Sequence, residues 1–433
     1  MRIVLLSCYE LGHAPHGLAM PAAFLARAGY RPVVQDLAVQ QLDEALIRAA
    51  DFVGITVPMH TALRLGAVAG ARVRELNPDC HLCFYGLYAP LNADYLRALG
   101  ADSVLGGECE QQLVALVEGR AAREVALDRL EFPAPRRDGL PAINRYAELV
   151  VGDERRRAGY TEASRGCLHM CRHCPIPPVY GGRFFVVGVD AVLADVAAQV
   201  EAGAEHVTFG DPDFFNGPGH AMRVLRAVHE RSPSLTFDVT IKVEHLLRHA
   251  ELLGELVALG CAFVVTAVES IDDAVLARLD KGHTRADVDR AFSLSRDAGL
   301  VLRPTFVPFT PWTTLDGLID LVDFLERREL VAHVDPVQLT VRLLVPPGSL
   351  LLDGDTAASF GALDPAALTH EWHHADPRVD ALQRAAQAIV EDGGDFAAVR
   401  AAYYAAAGRD APAPLAAREP ARPIPRLTEH WFC

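Results

Sequence analysis

Short apolar runs alternate twice along the chain with stretches whose apolar positions recur at helical spacing. In the first series, strands are expected at 3–7, 32–36, 52–57, 82–85 and 103–105. Helices are expected between them at 16–28, 61–76 and 91–99. Such alternation, with short and wholly apolar strands, predicts a parallel, doubly wound (Rossmann-like) α/β sheet. Ligands on such a sheet sit outside the carboxyl ends of its strands, here near 8–17, 57–61 and 86–89.

A proline- and charge-rich connector at 131–153 leads into the second series. Its strands are expected at 160–165, 206–211, 235–242, 263–269, 301–307 and 337–344. Helices intervene at 190–202, 220–230, 243–259, 285–298 and 315–328. A closed eight-stranded barrel takes about 250 residues, more than this stretch offers, so a partial (β/α)6 barrel is expected. Alanine-rich helices at 376–406 and an extended stretch at 410–425 follow. The expected division is a doubly wound domain at 1–130, a connector at 131–159, a barrel at 160–351 and a helical, extended region at 352–433.

Composition narrows the function. Of the 433 residues, 51% are hydrophobic, which excludes a disordered chain. A net charge of −15 leaves no basic excess to neutralise phosphates, so no nucleic-acid partner is expected. The apolar start is broken by Glu10, His13 and Pro15, too early for a membrane span or a signal-peptide core. A cytoplasmic protein without a membrane partner follows, and nine cysteines, an odd count, then suggest no disulfide framework. Only two of the 41 cationic residues are lysines, Lys242 and Lys281, which singles out both.

Three cysteines crowd into eight residues: Cys167, Cys171 and Cys174 form Cys-x3-Cys-x2-Cys directly after the first barrel strand. A structural zinc site wants four ligands, and here His169 or His173 would have to complete it. Three thiolates can instead hold a [4Fe-4S] cluster with one iron left open. At the strand ends, Asp211 is either a ligand partner or an acidic N-cap for the next helix. Lys242 closes the third strand and Arg303 sits near the start of the fifth, both candidates for holding a carboxylate. Lys281 reads as a helix-end or loop-packing residue, and Arg342 as a surface charge.

The spacing, and its position after a first barrel strand, resemble the radical S-adenosylmethionine (SAM) superfamily. That resemblance implies a [4Fe-4S] cluster on Cys167, Cys171 and Cys174, with SAM chelated at the open iron and an electron donor such as flavodoxin or ferredoxin. His173 stands where that family usually carries an aromatic residue. The stretch Phe209-Gly210-Asp211 resembles the family's Gly/acid motif near the methionine ammonium, which implicates Gly210 and Asp211. Glu269-Ser270 resembles the turn beside the SAM ribose.

The first domain resembles the cobalamin-binding domain that precedes many such barrels, up to Leu105-Gly106-Gly107-Glu108-Cys109-Glu110. The Asp-x-His-x-x-Gly ligand loop is not reproduced around His13, and Tyr85-Gly86-Leu87 stands where a Gly-Gly would be. A lid without cobalamin is therefore expected. The terminal His430-Trp431-Phe432-Cys433 resembles the start of the tail in radical SAM proteins named for Cys-Cys-Ala-Glu-Pro or its selenocysteine version. The expectation is that the natural product continues beyond Cys433. That group includes a transferase that moves the 3-amino-3-carboxypropyl group of SAM onto arsenite in arsinothricin biosynthesis. The resemblance implies that activity here, with Cys433 as a catalytic thiolate for arsenic. Cys8, Cys80, Cys83 and Cys109 could also meet arsenite, or simply be small apolar residues. The rivals are a cobalamin-dependent radical methyltransferase acting on a small metabolite and a non-catalytic iron–sulfur sensor.

Overall fold

The computed structural model describes residues 1–415 and 423–428, so Cys433 and the three residues before it lie outside the described residues. The first sheet is parallel throughout, in the order β2–β1–β3–β4–β5–β6. Its strands are β1 (Ile3–Ser7), β2 (Val33–Asp36), β3 (Phe52–Thr56), β4 (His81–Tyr85), β5 (Ser103–Gly107) and β6 (Val125–Ala126). Successive side chains point to opposite faces, and both faces are covered. Val4, Leu6, Val53, Ile55 and Phe84 enter one core, while Ile3, Leu5, Phe52, Cys83 and Tyr85 enter the other.

Helix α1 (His16–Arg27) is sandwiched between the two halves of the molecule. Its Leu18, Ala22 and Leu25 pack on the first sheet, whereas Met20 and Phe24 join the barrel core beside Phe132 and Ala163. Pro21 lies inside this helix and cannot donate to the carbonyl four residues back. The Tyr85 hydroxyl takes that place, donating to the Gly17 carbonyl at 2.8 Å. The helix also begins without a side-chain cap on Pro15. The Glu10 carboxyl instead accepts from the Gly17 amide, at 3.1 and 3.2 Å. The chain reverses its winding between β1 and β3, and a doubly wound sheet binds its ligands in that crevice. Here the helix N-terminus facing the crevice is already taken by Glu10.

The second sheet runs β14–β13–β12–β11–β8–β7, with a two-residue tail strand (Arg426–Leu427) beyond β7. Five strands are parallel: β8 (Glu154–Thr161), β11 (His206–Phe209), β12 (Thr236–Thr240), β13 (Cys261–Glu269) and β14 (Leu302–Phe306). β7 (Glu148–Val151), within the expected connector, adds an antiparallel edge. The expected first strand at 160–165 is two elements. After Thr161 the chain leaves the sheet as β9 (Ser164–Gly166), which pairs antiparallel with β10 (Phe184–Val186). The expected sixth strand at 337–344 is a 3-10 turn at Pro336–Leu339 and one parallel bridge between Arg342 and Phe309. Pro336, Pro346 and Pro347 bracket it and interrupt ladder donors. The tail strand pairs with β7, and Arg303 of β14 donates to the Pro425 carbonyl at 3.2 Å. The two edges of the curled sheet thus meet over the tail. No helix among the described residues is long and apolar enough to cross a membrane.

Burial pushes the Glu10 carboxyl up to about 8, against the Gly17 amide, which favours the anion. A raised carboxyl contributes stability that is present below its ordinary value of 4.5 and fades as pH climbs through about 8. Glu10→Gln keeps an acceptor for Gly17 but does not titrate. Its melting temperature relative to the parent is expected to rise steadily across that window, measured by thermal unfolding in a pH series.

Candidate active site

The cysteine loop springs from the β9–β10 hairpin. Gly166 adopts φ 72°, and a Cβ there would collide with the Arg183 carbonyl and the Tyr180 ring. The loop is held from below by Arg172, whose amide donates to the Leu279 carbonyl at 2.9 Å. The Arg172 guanidinium reaches the Asp353 carbonyl and Thr356 at 2.5 and 2.8 Å. On the lid side, Arg165 is clasped by Glu110, by Glu162 at 2.7 Å and by Glu108 at 3.8 Å. Glu108 in turn accepts from the Tyr180 hydroxyl at 3.1 Å.

Cys167 and Cys171 are buried, Cys174 is half-buried, and none is in a disulfide. Burial pushes the Cys167 thiol up and the Cys174 thiol to about 12, with neighbouring thiols adding and Lys281 opposing at Cys174. Both lysines of the chain stand at this loop. Lys242 Nζ is 3.7 Å from Cys171 Sγ, and Lys281 Nζ is 3.2 Å from Glu269 Oε1. Lys281 is only 3% exposed. It is therefore a buried cation of the site, not the loop-packing residue expected.

Glu269 closes β13 at φ 65°, a conformation uncommon for a residue with a side chain. This turns its carboxylate toward His173 Nε2 at 3.3 Å as well as Lys281. Burial alone would raise the Glu269 carboxyl, but Lys281 and His173 outweigh it and hold it at about 2. Ser270 accepts from the Asp272 amide at 3.0 Å, forming the next turn. Glu269 and Ser270 also line a cavity of about 300 Å³ with Asp272, Arg285 and Thr313.

Other expected site residues have different work. The Asp211 carboxyl accepts from the Ala163 amide at 2.9 Å and the Ser164 hydroxyl at 2.5 Å, pinning the start of β9. Burial raises it to about 7 despite those donors. The N-cap role expected of it falls to Asp213, which accepts from the Phe215 amide. Gly210 is required by packing, because a Cβ there would overlap the Tyr160 hydroxyl. Arg303 is corrected: it lies in the first half of β14 and binds Asp335 at 2.6 Å and the tail. Barrel chemistry belongs to the opposite, carboxyl ends of the strands. Arg342 is not a free surface charge either, since it donates to Asp380 and the Trp372 carbonyl and lies 3.4 Å over the Trp372 ring. Cys8 and Cys80 join one core of the lid, Cys83 and Cys109 the other, so a sheet separates the pairs. Burial raises all four thiols, as expected of apolar packing residues. Sequence reasoning missed His245 and Asp213 as neighbours of the loop, because only the topology brings the ends of β11 and β12 to it.

Residues 161–325 match the family profile of the radical SAM superfamily, and the barrel is a radical SAM domain. The chain is 26% identical over 230 residues to the tryptophan 2-C-methyltransferase of Streptomyces laurentii, covering 49% of this chain and 37% of that protein. It is 22% identical over 273 residues to the bacteriochlorophyllide d C-8(2)-methyltransferase of Chlorobaculum tepidum, 57% of this chain and 56% of that one. The matches thus span less than two thirds of these relatives. Among solved structures, the radical enzyme OxsB, with aqua-cobalamin and SAM bound, superposes with a TM-score of 0.69 at 13% identity. That match covers 90% of this chain and 67% of OxsB. TsrM from Kitasatospora setae, with cobalamin and a [4Fe-4S] cluster bound, superposes at 0.59 and 20% identity over 76% of this chain and 73% of TsrM. These likenesses establish an α/β fold with a curled, partial barrel behind an N-terminal sheet domain.

The site fits a cluster better than a single metal ion. Zinc–thiolate bonds of about 2.3 Å would draw the sulfurs close together. The three sulfurs are not gathered within 4.8 Å of one another. Three free thiols spaced more widely, with two buried ammonium groups beside them, suit an iron–sulfur cluster held by Cys167, Cys171 and Cys174. OxsB and TsrM both hold cobalamin, which the sequence reading of the lid did not favour; in this chain the Glu10 carboxyl occupies the N-terminus of α1 at the sheet's crevice.

Lys281→Met would strand the Glu269 carboxylate with His173 alone. Removing one partner of a buried pair costs about 3–5 kcal/mol, so a loss of that order is expected in urea unfolding. Adding Glu269→Gln should recover most of it. Arg303→Ala is expected to leave SAM binding unchanged while increasing protease cleavage near residue 425, read by limited proteolysis.

Proposed function

We propose that this chain is a radical SAM transferase that moves the 3-amino-3-carboxypropyl group of SAM onto arsenite. The observation that carries the SAM part is the convergence of both lysines on the cysteine loop. A bound [4Fe-4S] cluster supplies the electron that opens a carbon–sulfur bond of SAM. Lys242, a compact cation 3.7 Å from Cys171, would hold the SAM carboxylate beside the open iron. Glu269, kept ionised by Lys281 and His173, offers an acceptor for the ribose, with Ser270 next to it. Asp211 would meet the methionine ammonium if its carboxyl exchanged the Ser164 hydroxyl for that donor. The arsenite part is supported by the resemblance of the terminal His-Trp-Phe-Cys to the tailed radical SAM group, since trivalent arsenic prefers soft thiolates. Breakage of the Cγ–S bond would leave 5′-methylthioadenosine. An electron donor of the flavodoxin or ferredoxin type and a cytoplasmic setting belong to this reading.

Cobalamin-dependent methyl transfer is the second reading. Its support is the fold shared with OxsB and TsrM and the 26% identity to a tryptophan methyltransferase. Against it stands the Glu10 carboxyl in the lid crevice.

Anaerobic incubation of the reconstituted enzyme with SAM, dithionite and arsenite separates the two. The expected outcome is 5′-methylthioadenosine together with a new As–C product by mass spectrometry, and Lys242→Ala should weaken SAM binding about tenfold or more. S-adenosylhomocysteine formed only when cobalamin is supplied would favour the second reading, and no SAM turnover would leave a sensor.

A further inference from the structure

Three side chains of metal-ligating type meet beside the cysteine loop without serving it. His169 comes from the loop itself, Asp213 from the turn after β11, and His245 from the short helix Val243–Arg248 after β12. Asp213 Oδ2 lies 2.7 Å from His245 Nδ1 and 3.4 Å from His169 Nε2, and the three atoms fall within 4.8 Å of one another. The Asp213 side chain has no exposed surface, and that of His245 is 4% exposed.

Their closeness is not ordinary, well-aligned hydrogen bonding. Both rings favour the Asp213 anion, yet none of these three atoms has a partner in acceptable hydrogen-bond geometry. The other Asp213 oxygen is already used, accepting from the Phe215 and Lys242 amides at 3.3 and 3.4 Å. A buried carboxylate oxygen and a buried ring nitrogen held only by such misaligned contacts are costly unless something joins them more directly. Ligand bonds of about 2.0–2.2 Å to one ion would leave the ligand atoms roughly 3 Å apart, near the separations found. Glu244 Oε2 stands 3.7 Å from the far nitrogen of His169, on the side where metal-bound imidazoles usually find a carboxylate.

We propose that His169 Nε2, Asp213 Oδ2 and His245 Nδ1 form a mononuclear site for a first-row divalent cation such as Fe²⁺ or Zn²⁺, separate from the cysteine-held cluster. Two imidazoles and one carboxylate suit such ions and leave positions open for water or an anionic oxygen of a substrate. The site does not depend on which group the enzyme transfers. It ties the cysteine loop to the ends of β11 and β12 through one ion.

Cobalt(II) is the probe. Anaerobic protein with its cluster reconstituted is dialysed against Co²⁺, and cobalt, iron and sulfide are counted per chain. The expected result is about one cobalt per chain, its affinity falling about tenfold or more in His169→Ala and in His245→Ala with iron and sulfide unchanged. A protein with Cys167, Cys171 and Cys174 all changed to Ala should still take up that cobalt. His169 is the most exposed of the three, so its variant is the safest fold control. No cobalt in the parent, or equal cobalt in the parent and His169→Ala, overturns the proposal and leaves a simple Asp–His contact.

Discussion

Charge balance governs the mouth of this barrel. Three thiolates and Glu269 would concentrate negative charge among largely buried groups, where charge is tolerated only beside a matching partner. Lys242 and Lys281 supply it, one against Cys171 and the other against Glu269. The chain uses arginine almost everywhere else. A planar guanidinium needs room and a fork of acceptors, whereas an ammonium is compact and fits beside a sulfur. The left-handed turn at Glu269 belongs to the same arrangement, because it aims the carboxylate inward at the end of β13.

The lid is coupled to that mouth by packing and by charge. Helix α1 serves two cores at once, and Arg165, one residue before the turn into the cysteine loop, is clasped by two lid glutamates. Pro21 and Pro15 deprive this helix of ordinary backbone and capping bonds. Tyr85 and Glu10 replace them from the sheet below. The crevice at which the winding of the sheet reverses thereby also carries the support of the lid's helix.

Much of this was legible in the residue pattern. Five of the six strands of the first sheet and four of the six expected barrel strands follow their apolar runs within a few residues, and the cysteine spacing marks the site outright. The misses have physical reasons. Prolines on both sides reduce the sixth strand to a bridge, and two residues, Glu162 and Ala163, break the first into a strand and a hairpin arm. Arg303 looked available because a strand's residues are visible in sequence while the end of the barrel they face is not. Lys281 reads as a loop residue because only the fold brings its ammonium to Glu269. His245 and Asp213 carry no motif, since they approach His169 only after two parallel strands have been laid side by side.

Arg303 and the tail strand give the barrel a seam. Arg303 and Pro425 are 122 residues apart in the chain and joined by one arginine bond, while a two-residue ladder and two bonds between Thr428 and Glu148 tie the tail to β7. A contact so distant in sequence forms after the local strand–helix units, and one so lightly built opens before them. The barrel should therefore breathe along this line, at the foot of the strands, while the mouth with its paired charges stays shut.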